Sequence, residues 1–122
     1  MLIPHLHFDG DCADAIALYE KAFRTKAGNY DYRDGTVAHA AMRIHGQTIF
    51  LNDAKAHFRD GLGVDCTAHL VLTFRTAEKL LACYEILKAD GNHPAPFHET
   101  PYSKLVGNFM DKFGVLWGFM VV

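Results

Sequence analysis

The feature that most constrains this chain of 122 residues is that it repeats itself. Leu6 and Phe8 alternate with His5 and His7, the period of a strand, and Asp9-Gly10-Asp11 breaks that strand. Asp11, with Asp14 three residues on, reads as the N-cap of a helix over about 12–23. Its apolar positions, Cys12, Ala15, Ile16, Leu18, Tyr19 and Phe23, recur at helical spacing. Asp34-Gly35 turns the chain into a strand over Thr36–Ile44, and His45-Gly46 reads as a tight hairpin into a return strand, Gln47–Asn52. The second half follows the same course. His69–Phe74 alternates, and Thr76 caps a helix carrying Leu80, Leu81, Tyr84 and Leu87, which Gly91 ends. Pro94, Pro96 and Pro101 mark a short connecting stretch. Strands near Leu105–Asp111 and Val115–Val121 then flank a turn at Lys112–Gly114.

The order is therefore β-α-β-β-β twice. Ala15–Glu20 superposes on Leu80–Glu85 at a shift of 65, and Gly46 on Gly114 at a shift of 68. Half a chain of this length is too small to bury a good core alone. The repeat predicts one α+β domain over 1–122: a first module of about 1–53, a connection over 54–67, and a second module of about 68–122. The two modules are expected to form one curved mixed sheet with the helices on its convex side.

Composition narrows the function. Half the residues are hydrophobic and the formal net charge is −2, which excludes a disordered polyampholyte. A pI of about 6.4 with no basic run argues against a nucleic-acid partner. No apolar stretch approaches the ~20 residues of a membrane span. Met1 leads straight into Leu2-Ile3-Pro4-His5 without the character of a secretory signal. Cys12, Cys66 and Cys83 include no CxxC pair, so the expected compartment is the reducing cytoplasm. Cys12 and Cys83 read as small buried hydrophobes. The unusual count is eight histidines, side chains that titrate near neutrality and ligate metals.

Three stretches resemble the vicinal oxygen chelate superfamily, which includes glyoxalase I, bleomycin-resistance proteins and extradiol dioxygenases, and in particular its PhnB-like branch. Pro4-His5-Leu6-His7-Phe8-Asp9-Gly10, followed by Ala15-Ile16 and Tyr19, is similar to that branch's first strand and helix. Val37-Ala38-His39-Ala40 with Gly46-Gln47-Thr48 is similar to its third strand and hairpin. Phe109-Met110-Asp111-Lys112-Phe113-Gly114-Val115-Leu116-Trp117 resembles its closing signature. The branch often carries a 3-demethylubiquinone-9 3-methyltransferase-like label, but nothing here resembles a methyl-donor site. The chain departs from the pattern at Arg24-Thr25-Lys26, where relatives carry glycines, and at Ala41, where a glutamate is common.

The resemblance implies four metal-ligand positions in the superfamily's metal-dependent members. They fall near Ile3, at Phe50, at His69 and at Gly118, and only His69 can ligate. A slip of one residue would bring His5 to the first position. Asn52 or Asp53 could reach the second only by turning Ile49 and Leu51 toward the cleft. A divalent site needs three or four converging N or O ligands, so no metal and no cofactor is expected.

If Leu6, Phe8, Ala40, Met42, Leu70, Leu72 and Phe74 pack inward, alternation sends His5, His7, His39, Arg43 and His69 to the opposite, cleft-facing side. Phe50, Leu116 and Met120 join them by the same count from Ile49, Leu51, Trp117 and Phe119. For His5 and His7 the alternative is a half-exposed strand position. For His39 it is a hydrogen bond between strands, and for His69 a satisfied buried histidine. His45 falls in a turn and His57, His93 and His98 in loops, where a solvated surface is expected. Trp117 reads as core or dimer interface, and Asp111 as a turn former rather than an acid catalyst. The expected activity is binding of a small organic ligand, by a homodimer as relatives commonly form. A ligand-sequestering resistance protein and a metal-dependent glyoxalase-type lyase or dioxygenase are the alternatives.

Overall fold

A computed structural model describes residues 1–54, 68–93 and 95–122. The expected connection beyond residue 54, with His57 and Cys66, lies outside the described residues, as does Pro94. The chain divides into two compact units, Met1–Cys66 and Thr67–Val122.

Module one runs β1 (His5–His7), α1 (Cys12–Phe23), β2 (Gly28–Arg33), β3 (Thr36–Ile44) and β4 (Gln47–Asn52). Its four strands lie in the order β1-β4-β3-β2, with β1 parallel to β4 and the other pairs antiparallel. Phe8, Ala40, Met42, Ile44, Ile49 and Leu51 are all buried, as are Cys12, Ala15, Ile16, Tyr19 and Ala22 of α1. Both short loops are tight hairpins built as expected: Asp34-Gly35 and His45-Gly46 each hold two successive positive φ angles, the geometry that matches strand twist.

One expected cap is replaced. Asp11 stands at the N-cap position of α1 but its side chain makes no capping hydrogen bond. Asp53, just past β4, does the work instead. Its Oδ1 accepts from the N–H groups of Gly10 (2.9 Å) and Cys12 (3.0 Å), and its Oδ2 accepts from Val37 N–H (2.9 Å). A carboxylate at a helix N-terminus satisfies unpaired donors and complements the dipole. One side chain thereby ties the ends of β4, α1 and β3.

Module two runs β5 (Leu70–Phe74), α2 (Ala77–Leu87), β6 (His98–Thr100), β7 (Ser103–Met110) and β8 (Leu116–Val121), with strand order β5-β8-β7-β6. Its ladder repeats that of module one: β5 is parallel to β8, and the remaining pairs are antiparallel. The strands thus form two four-stranded sheets. Thr76 caps α2 as expected, its hydroxyl accepting from Lys79 N–H at 3.2 Å. Leu80, Cys83 and Leu87 are buried, whereas Leu81 is exposed. The helix stops at Leu87, and the left-handed residue that follows is Asp90 rather than Gly91. Gly91 is needed for another reason: a Cβ there would collide with the Met110 carbonyl oxygen. His98 opens β6 and pairs with Val106, so it is a strand residue rather than a loop one. Asp111 builds the β7–β8 turn, accepting from Phe113 N–H (2.9 Å), Val115 N–H (3.0 Å) and the buried Trp117 indole N–H (2.9 Å). Among the described residues no helix is long and apolar enough to cross a membrane.

Candidate functional site

The buried faces of β1, β3 and β4 leave an opposite, open face, and alternation decides what stands there. His5 and His7 come from β1, His39 and Ala41 from β3, and Thr48, Phe50 and Asn52 from β4. The register sets Phe50 between neighbours: His5 lies opposite it on the parallel side and Ala41 on the antiparallel side. The His39 ring meets Phe50 edge-on at 5.0 Å between centroids and 71°, and His5 meets it at 5.8 Å and 85°. His5 and His7 rings lie 4.3 Å apart. His7 Nδ1 is 2.7 Å from Asn52 Oδ1, and since an amide oxygen accepts, Nδ1–H is the donor in that bond.

The electrostatics follow from this crowding. Partial burial, then the neighbouring His7 and His39, hold the His5 imidazole below its ordinary value of 6.5. A charge on either neighbour opposes a proton on His5, so desolvation and crowding act in the same direction there. The thiols are no part of this chemistry: burial pushes both Cys12 and Cys83 up to about 12.

Four expected site residues, His5, His7, His39 and Phe50, are thus brought together within module one. Arg43 shares their face but turns away from the imidazoles, donating to the Gly46 carbonyl and, at 3.4 Å, to Thr48 Oγ1. His69, Leu116 and Met120 belong to module two. The His69 ring lies over Gly118: a Cβ at Gly118 would come within 3.0 Å of His69 Cδ2 and 2.9 Å of Asn108 Oδ1. Leu116 is exposed and Met120 half-buried, alternating with buried Trp117 and Phe119. Sequence reasoning passed over Asn108, and it admitted Asn52 only if Ile49 and Leu51 turned toward the cleft; the structure places Asn52 on the open face with Ile49 and Leu51 still buried. Asn52 was legible, since Thr48, Phe50 and Asn52 alternate with Ile49 and Leu51. Asn108 is brought to Gly118 by the β7–β8 register, in which the two residues pair.

The side chains do not fit the divalent ion of metal-dependent relatives. Phe50 and Gly118 supply no donor, and the space beside Gly118 is taken by His69 and Asn108. Asp53 is engaged by three backbone N–H groups. Among the described residues, no three His, Cys, Asp or Glu side chains converge as a ligand set.

Comparison with known proteins agrees with this architecture. Residues 2–119 match the model of the Glyoxalase/Bleomycin resistance protein/Dioxygenase superfamily, and the chain belongs to that superfamily. It is 30% identical over 142 residues to protein YjdN of Escherichia coli, covering 99% of this chain and 95% of that one. It is 40% identical over 125 residues to protein Mb0911c of Mycobacterium bovis, covering 95% and 79% of the two chains. Among solved structures it is similar to the PhnB protein of Bacillus cereus, with a TM-score of 0.85, 25% identity, and 99% and 98% of the two chains covered.

Proposed function

We propose that this chain is a PhnB-like binding protein that holds a small, partly polar organic ligand on the open face of module one, without a metal ion. The observation that supports it is the grouping of His5, His7 and His39 around Phe50. Phe50 offers an apolar contact, and the imidazole nitrogens offer hydrogen-bonding groups. A few convergent polar groups on an apolar floor are the usual make-up of a small-molecule site. Asn52 Oδ1 fixes the orientation of the His7 ring on this face, 2.7 Å from Nδ1. The working protein is a cytoplasmic homodimer.

A thermal-shift screen with small aromatic and dicarbonyl compounds tests the reading, since a ligand stabilises the folded state by mass action. Hits should raise the melting temperature equally with and without EDTA, and His39→Ala should weaken them. A hit that requires stoichiometric metal would overturn metal-free binding. Hits indifferent to both His39→Ala and His5→Ala would overturn the site. A compound recovered unchanged identifies sequestration rather than turnover.

A further inference from the structure

Module two carries a concavity remote in sequence from β1, β3 and β4. It is a groove of about 330 Å³ where the ends of β5 and β8 meet the β6–β7 turn. Arg75, Glu99, Pro101, Tyr102, Lys104 and Val121 line it. Its volume falls at the lower end of the ~300–1,000 Å³ range of small-molecule sites.

Two observations give the groove a chemical preference. Among the described residues neither Arg75 nor Lys104 has an ion-pair or hydrogen-bond partner, so two unpaired cations line the groove beside the single carboxylate of Glu99. Tyr102 is 71% exposed, an aromatic ring held at the mouth without a partner ring. The turn that carries it is pinned from beneath. Ser103, itself buried, bridges through Oγ to the carbonyls of Leu105 (2.9 Å) and Val121 (2.8 Å) and accepts from Leu105 N–H at 3.2 Å. A fixed wall lowers the ordering cost of binding.

We propose that this groove binds a small organic monoanion carrying an aromatic or aliphatic body. The planar guanidinium of Arg75 suits a carboxylate through paired N–H bonds, and Lys104 adds a compact second charge. Tyr102, Pro101 and Val121 take the apolar body. Glu99 lines the same groove, so its charge opposes a dianion and sets the preference for a single negative charge.

The probes are benzoate, its neutral isostere benzamide, and the cation benzylamine, each titrated into the full chain while backbone amide resonances are followed. Benzoate should shift the amides of Tyr102, Ser103 and Lys104 while those of His5, His39 and Phe50 stay still. Benzamide and benzylamine should bind more weakly. Arg75→Gln and Lys104→Gln should each weaken benzoate about fivefold, the scale of one exposed ion pair. Both variants alter exposed side chains, and unchanged amide dispersion elsewhere confirms the fold. The proposal is overturned if saturating benzoate leaves residues 102–104 unmoved, if benzamide or benzylamine binds as tightly, or if both variants bind like the parent. Shifts confined to the open face of module one would likewise overturn the groove while supporting the site proposed above.

Discussion

Replacing Asp53 tests how module one is held together, because a single carboxylate serves three backbone donors. In Asp53→Ala, the Gly10 N–H can turn to water, since Gly10 is exposed. Cys12 and Val37 are 0% and 1% exposed, so their N–H groups have little access to solvent. A stranded buried donor costs about 1–3 kcal/mol, and loss of a charge at a helix N-terminus about 0.3–1 kcal/mol more. The sum is about 2–7 kcal/mol, against a typical domain stability of about 5–15 kcal/mol. Asp53→Asn keeps the shape and one acceptor oxygen but turns an amide N–H₂ toward a donor, so it should lose about half as much. Asp11→Ala is the control. Among the described residues its carboxylate accepts only from Asp9 N–H, at 3.3 Å and in solvent, so the loss should stay within about 0.5 kcal/mol. Urea unfolding followed by far-UV circular dichroism reads all three. If Asp53→Ala lost under about 1 kcal/mol, or less than Asp11→Ala, the assignment of the cap to Asp53 would be wrong. Should Asp53→Ala fail to fold, the graded loss in Asp53→Asn decides.

Three further outcomes follow from named contacts. His5 binds its proton less readily in the folded state than in the unfolded one, so below its ordinary 6.5 the unfolded chain takes up more protons and stability falls with pH. Urea midpoints between pH 7.5 and 5.5 should show this, with a shallower fall in His5→Gln; an identical slope in the variant would contradict it. Gly91→Ala should lower stability by about 1–3 kcal/mol, because the added methyl meets the Met110 backbone rather than a movable side chain, and a neutral result in the same urea assay would refute the close approach. Cys12 and Cys83, with thiols pushed up to about 12, should resist iodoacetamide at pH 8 in the native protein, as read by peptide mapping. Rapid labelling of either would contradict their burial.

What was legible in the sequence was what periodicity and turn chemistry report. The helix at Cys12–Phe23, the strands Thr36–Ile44 and Gln47–Asn52, and both Gly-containing hairpins stand as read, because apolar spacing and positive-φ residues agree there. β2 and β6 left weaker traces. β2 is exposed along most of its length and its pairing shifts register, so no buried face imposes alternation. β6 is three residues long and lies beside prolines. The N-cap of α1 misled for a different reason: Asp11 is the right residue type in the right place, but the bonds go to Asp53, a partner 41 residues from Cys12 that only the folded β4 delivers. At the site, alternation placed His5, His7, His39 and Phe50 on one face. It could not show that Arg43 folds back on its own hairpin, which depends on a side-chain conformation rather than a face. His93, expected on a solvated loop, is exposed yet bonded at both nitrogens, to Tyr84 Oη (3.1 Å) and the Lys88 carbonyl (2.8 Å).

The most direct test of ligand binding at the imidazole cluster is histidine side-chain NMR. Long-range ¹H–¹⁵N spectra of the imidazoles, recorded while a thermal-shift hit is titrated in, resolve which rings meet it. The resonances of His5, His7 and His39 should move together and saturate with the same affinity as the thermal shift, while those of His45 and His98 stay in place. A compound that binds and saturates while those three imidazoles remain unmoved would contradict the account.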